Sequence, residues 1–233
     1  MYNEERLLPF FLDHYSFAEK IFLYDNRSDD TTRALASRCP KTVVRDHDTG
    51  GCCRELANVY LKNNAWKETS RGHADWVIVA DADEFLYHPN LLEYLAGCME
   101  RGVTVPRPVG YGMTSASFPV PGRPITEQVR KGGRCPPFDK MAIFNPNKVD
   151  INYEPGCHLA SPVGQVVFDD NPELKLLHMA FLGLEWVKWR WGRSDARRSP
   201  EDIEMGYSHH CAWIVQHADN LFAEALTNSF DII

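Results

Sequence analysis

The chain has 233 residues, 44% of them hydrophobic, which suffices for a substantial core in a single globular unit. Its formal net charge of −7 and lack of any long Lys/Arg run exclude a general nucleic-acid surface. No segment approaches the roughly 20 apolar residues of a bilayer span, and no basic stretch followed by an apolar core opens the chain, so a soluble, cytoplasmic protein is expected.

The first hundred residues alternate helical and extended patterns, the mark of an α/β protein with a parallel sheet. Asn3 is a candidate N-cap for a helix over 4–17, with Leu7, Leu8, Phe11, Leu12 and Tyr15 forming its apolar stripe. A strand is expected over 20–24, then a polar turn at Asp25-Asn26-Arg27-Ser28-Asp29-Asp30 that caps a helix over 31–38. A short strand over 42–45, a loop at Gly50-Gly51 and a helix over 53–66 lead to the apolar run Trp76-Val77-Ile78-Val79-Ala80. Pro89 fits the first turn of a helix ending near Arg101. Residues 102–137 are rich in Gly and Pro and read as a long, partly ordered loop with short strands. Further strands are expected over 140–144, 164–168 and 174–179, and the last fifty residues read as helical. Seven scattered cysteines without a C-x₂-C pair read as free thiols in a reducing compartment.

Asp81-Ala82-Asp83-Glu84-Phe85 follows directly on the apolar run. Side chains two apart on a strand share a face, so Asp81 and Asp83 are expected to project together from its carboxyl end. Open α/β sheets bind ligands at that end. Two neighbouring carboxylates repel, and a hard divalent ion, Mg²⁺ or Mn²⁺, would relieve the repulsion. The plain alternative is a solvated acidic turn.

Tyr2-Asn3-Glu4-Glu5, Phe22-Leu23-Tyr24-Asp25-Asn26 with Ser28-Asp29-Asp30-Thr31, and Trp76 to Phe85 occur in this order. Together they resemble the family 2-like glycosyltransferases of the GT-A fold, in the branch whose motif reads D-x-D-E-F. The likeness covers residues 2–87, with a weaker echo through Asp139-Lys140-Met141, Gly156-Cys157-His158 and Leu177-His178. It implies a Rossmann-like, mixed but mainly parallel sheet flanked by helices, in one domain. Residues 1–105 would form the nucleotide-binding half, 106–182 the acceptor half and 183–233 a helical tail. The implied activity is metal-dependent, inverting transfer of a hexose from a nucleotide-diphosphate sugar to a glycan, lipid-linked or protein hydroxyl.

The resemblance also implies roles. Asn3, Glu4, Asp25 and Asn26 would lie beside the nucleoside, and Arg54 would reach a donor phosphate. Asp81 would meet the ribose or a metal-bound water, Asp83 would hold the metal, and His178 would add a ligand. Capping or turn roles for Asn3, Glu4 and Asp25, a surface role for Arg54 and a core role for His178 are the alternatives. Proton transfer from the acceptor needs a base; Glu84, Asp139, Glu154 and His158 qualify by type. Removing Asp83 is expected to cost turnover more than folding. The family carries a β-strand ahead of the Asn-Glu segment whereas this sequence begins at Met1-Tyr2, so either the start is assigned too late or an altered or supplied sheet centre is expected.

Glu185-Trp186-Val187-Lys188-Trp189-Arg190-Trp191-Gly192-Arg193 belongs to no motif. It reads as a helix packed through its tryptophans with basic groups snorkelling outward, the alternative being a peripheral membrane contact through 185–198. Two other functions compete with transfer. A metal-dependent nucleotidyltransferase or phosphohydrolase also needs paired aspartates, but no P-loop or aspartyl-phosphate context is present. A non-catalytic nucleotide- or sugar-binding module is the other.

Overall fold

The computed structural model describes residues 1–233. The first part alternates α1 (Leu8–His14), β1 (Ile21–Asp25), α2 (Thr32–Arg38), β2 (Thr42–Asp46), α3 (Glu55–Thr69), β3 (Val77–Ile78), β4 (Glu84–Tyr87) and α4 (Leu91–Glu100). The middle is rich in strands: β5 (Val105–Pro106), β6 (Val109–Ser115), the short α5 (Ile125–Gln128), β7 (Lys131–Arg134), a 3-10 turn at Pro136–Phe138, β8 (Ile143–Phe144), β9 (Val149–Asp150), β10 (Val163–Gly164), β11 (Phe168–Asp169) and β12 (Lys175–Leu182). Helices α6 (Leu184–Ala196), α7 (Pro200–Glu204) and α8 (His210–Thr227) precede β13 (Phe230–Asp231). The class is mixed α/β.

A five-stranded sheet runs in the order β13-β7-β6-β12-β4. Within it β12, flanked by β6 and β4, has the sequence KLLHMAFL, apolar almost throughout because it is paired along both edges and nearly all of its residues are buried. Only β6 and β12 are parallel within this sheet. Across the molecule five of the eight strand pairings are antiparallel, so the sheet is mixed, as expected, but not mainly parallel. The Gly/Pro-rich segment explains the difference. Beyond the short strands expected in a partly ordered loop, it supplies the seven-residue β6 and its partner β7, which pair without a full crossover helix. Gly110 sits in β6 because a Cβ there would fall 2.3 Å from the carbonyl carbon of Phe138. Gly110 and Gly132 thus answer close backbone approach, whereas Gly102 and Gly122, at positive φ, serve turns.

β1 and β2 form a parallel pair of their own and make no ladder with β3 or the larger sheet. Along the other edge of β1, the Met1 amine donates to Tyr24 O at 2.6 Å and Asn26 N donates to Met1 O at 2.8 Å. Apolar packing joins the pieces: Leu7, Leu8, Phe11, Ile21 and Leu23 belong to the same buried cluster as Phe85, Leu177 and Trp186. Gly183, at φ 87°, turns the chain from β12 directly into α6. That turn drives Trp186 into the core and sets Val187 against Ala218 and Phe222 of α8. All seven cysteines are unpaired. No helix is long and apolar enough to cross a membrane.

Candidate functional site

The Asn-Glu segment and the Ser-Asp-Asp-Thr turn are tied together residue by residue. Asn3, at φ 51°, donates its side-chain amide to Asp29 at 2.5 Å and accepts from Asp29 N at 3.0 Å, while its own N–H donates to Ser28 Oγ at 2.9 Å. Glu4 N donates to Thr32 Oγ1 at 2.7 Å. The Glu5 carboxylate accepts from the N–H and hydroxyl of Thr31, capping α2 from outside the helix. Asn3 therefore fastens a loop and is not the N-cap expected from sequence, because α1 begins only at Leu8, behind Leu7.

Asp25 ends β1, almost wholly buried. Its Oδ2 accepts from Arg33 at 2.9 Å and Ser28 N at 3.3 Å, whereas Oδ1 is buried with no partner. Asn26 is fully engaged: it donates to Thr49 Oγ1 and Cys52 O and accepts from Thr49 N, pinning the Gly50-Gly51 loop. Arg54 lies at the surface, 46% exposed at its side chain, with Glu201 at 3.8 Å.

The acidic segment is a turn, not the end of a strand face. Glu84 N donates to Asp81 O at 3.0 Å, and Asp81 N donates to Glu84 Oε2 at 2.9 Å. This closes the chain on itself and separates the two aspartates. Asp81, 51% exposed at its side chain, accepts from Lys62 at 2.8 Å and has Lys140 at 4.0 Å. Asp83, 5% exposed, accepts through Oδ2 from His178 Nε2 at 2.8 Å and from Arg190 at 2.6 Å. Glu84 is buried and accepts from Lys140 at 2.5 Å.

Electrostatics follow from these pairings. Burial would raise the Asp83 pKa, but Arg190 and His178 outweigh it and hold the carboxyl far below the usual range. Burial likewise opposes ionisation of Asp81, and Lys62 with Lys140 reverses the balance. Arg190 and Lys62 are themselves held charged, against burial, by the acids they meet.

Arg190 also lies 3.3 Å from Glu4, and Arg193 donates to Glu4 at 2.7 Å and to Asn3 O. Arg190 and Arg193 of α6 turn inward instead of snorkelling, while Lys188 stays at the surface with Asp219; just past the helix, Arg197 stacks on Tyr2 and donates to Gly51 O, and Arg198 pairs with Asp195. Sequence reasoning missed Arg190 and Arg193 as site residues. The signal was their spacing, since positions 190, 193 and 197 share one helical face.

A divalent ion does not fit this arrangement. Glu4, Asp81, Asp83 and Glu84 face Lys62, Lys140, Arg190 and Arg193, four acids against four bases. His178 turns Nε2 toward Asp83, and no three His, Cys, Asp or Glu side chains converge as a ligand set.

Next to this cluster lies an aromatic stack. The 3-10 turn that Gly110 admits places the Phe138 ring 4.0 Å from His178 in parallel and 5.2 Å from His158 edge-on. His158 Nδ1–H donates to Pro137 O at 2.8 Å, and Nε2 has no protein partner. Burial lowers its pKa, favouring the neutral ring. Asp139 is engaged by Arg134 at 2.5 Å and Gly110 N at 2.6 Å. The structure thus gathers Glu4, Asp83 and His178 around Arg190 and pairs Asp81 and Glu84 through Lys140, sets His158 beside these clusters, and leaves Arg54 outside.

A hollow of about 440 Å³ lined by Thr114, Ser115, Arg130 and Lys131 includes none of the motif residues. No protein-family model matches the chain, and no curated protein sequence matches it.

Proposed function

We propose that the protein is a GT-A-like glycosyltransferase that moves a sugar from a nucleotide-diphosphate donor to the hydroxyl of a glycan, lipid-linked or protein acceptor, with inversion. The observation that carries this reading is the convergence of its three separated motifs. Asn3–Glu5 locks onto Ser28–Thr32, and Glu4 shares Arg190 with Asp83. Fold likeness alone would not support an activity. The unpartnered Oδ1 of Asp25 adds a local argument, because a buried carboxylate oxygen without a donor is costly and a nucleoside hydroxyl or N–H would satisfy it.

Among the four candidate bases, Glu84 and Asp139 already accept from Lys140 and Arg134; Glu154 and His158 are both exposed, and of these two it is His158 that packs edge-on against Phe138 beside the cluster. His158 holds its proton on Nδ1 and presents a free lone pair at Nε2. In the proposed step, the acceptor oxygen attacks the anomeric carbon as the sugar–diphosphate bond breaks. The hydroxyl proton passes to His158 Nε2, and the bonding pair leaves with the diphosphate. No metal takes part in this scheme, because the acids that would bind it are engaged.

The balanced charges favour a second reading, a nucleotide-binding module without turnover. A thermal-shift screen of nucleoside diphosphates, followed by measuring nucleotide release from the matching sugar donors, separates the two. The transferase reading expects a raised melting temperature and acceptor-dependent release. Binding without release supports the module, and no shift with any nucleotide overturns both.

A further inference from the structure

We propose that Arg190 is a built-in counter-ion that stands where a divalent cation would have to sit at Asp83, so that the site binds its ligand without metal. The inference concerns the acids and bases themselves and does not depend on the transferase reading.

Arg190 meets Asp83 at 2.6 Å and Glu4 at 3.3 Å, and so bridges two acids that lie far apart in the chain. A guanidinium suits this task because its planar fork donates in two directions at once. Its side chain is only 13% exposed, and its Cζ lies 5.7 Å from the ring of Trp186, itself buried in the core. Withdrawing Arg190 therefore breaks its contacts with both acids and leaves them without their counter-charge, while α6 itself is fixed through Val187 against α8. A metal at Asp83 Oδ2 would have to displace both that guanidinium and the His178 ring nitrogen. Arg193 completes the arrangement by neutralising Glu4 from the next turn.

The test is Mn²⁺ uptake by the full chain, read by electron paramagnetic resonance, with thermal melting in EDTA and in Mn²⁺. The wild type is expected to leave the free-ion signal unchanged and to melt alike in both solutions. Arg190→Gln removes the charge and leaves two acids unpaired, so its melting point should fall by about 6 °C or more. Mn²⁺ should restore part of that loss, and the restoration should vanish in Asp83→Asn/Arg190→Gln. Uptake of one Mn²⁺ per wild-type chain at micromolar concentration, abolished by Asp83→Asn, would overturn the proposal. If Arg190→Gln fails to fold, the wild-type titration decides by itself.

The nucleotide screen repeated in EDTA keeps the two proposals apart. A nucleotide that raises the melting point equally with and without Mn²⁺ supports both. One that needs Mn²⁺ overturns the role of Arg190 and spares the transferase. Absence of any nucleotide effect overturns the transferase and leaves the Mn²⁺ titration to decide on Arg190.

Discussion

Asp81 and Asp83 stand two residues apart and carry the same side chain, yet one is half in solvent beside Lys62 and the other is buried beneath Arg190 and His178. Screening by water makes the first pairing weak, while the second encloses charges that only each other can compensate. Chemical identity and proximity in sequence therefore say little about cost. The surrounding dielectric and the partner decide it.

Removing each acid in turn puts this contrast to its most severe test. Asp83→Ala strands Arg190 and His178 in the interior and should cost about 3–5 kcal/mol of stability, whereas Asp81→Ala should cost under about 1 kcal/mol. Urea unfolding of the two variants measures both, and equal costs would erase the distinction. This reverses the sequence-based expectation that losing Asp83 harms turnover more than folding, because that expectation placed the carboxylate in a ligand site rather than under an arginine.

A second substitution addresses a neighbour whose proposed role is chemical rather than structural. His158→Gln should reduce turnover by roughly 10²-fold or more, the range for a lost general base, with little change in melting temperature. Parallel losses of turnover and stability would place His158 with Asp83 among the structural residues. Third, Gly110→Ala forces the Phe138 backbone off β6 and with it the ring stacked on His178. It should cost about 1–3 kcal/mol in urea unfolding, and a neutral result would show that the buried side does not rely on that stack.

The smallest effect is with pH. Burial lowers the pKa of His14, His47, His158 and His210 below the ordinary histidine value of 6.5. The unfolded chain then binds more protons than the native one in mildly acidic solution. The stability these groups contribute is complete above about pH 6.5 and is lost as pH falls through their native values. The depressed carboxyls of Asp81 and Asp83 add their loss only below about pH 4. Urea midpoints should therefore already decline between about pH 7 and pH 5, and a flat profile over that range would contradict the histidine assignment.

Much of the architecture is legible in the amino-acid pattern. The alternation over the first hundred residues locates α2, β2, α3 and α4 to within a few positions, because amphipathic period and turn chemistry are local properties. The strand expected over 174–179 is the longer β12, recognisable from its continuous apolar run. The region 102–137 is misleading because glycine and proline signal turns statistically. At Gly110 the residue instead answers a crowding that exists only once Phe138 lies across the strand. The candidate site is legible as a list of acids, but not as pairs.

By itself the sequence determined the mixed α/β class, the order of the three motifs and the concentration of carboxylates at residues 81–84. Tertiary structure alone decided which base meets which acid. Lys62, Lys140 and His178 lie 19, 56 and 95 positions from the acids they hold, and Arg190 arrives from a helix with no motif. Local periodicity reports which face of an element is buried. The partner across that face depends on how β12 turns at Gly183 and drives α6 back over the N-terminal segment, a long-range packing outcome that no short stretch of chain encodes.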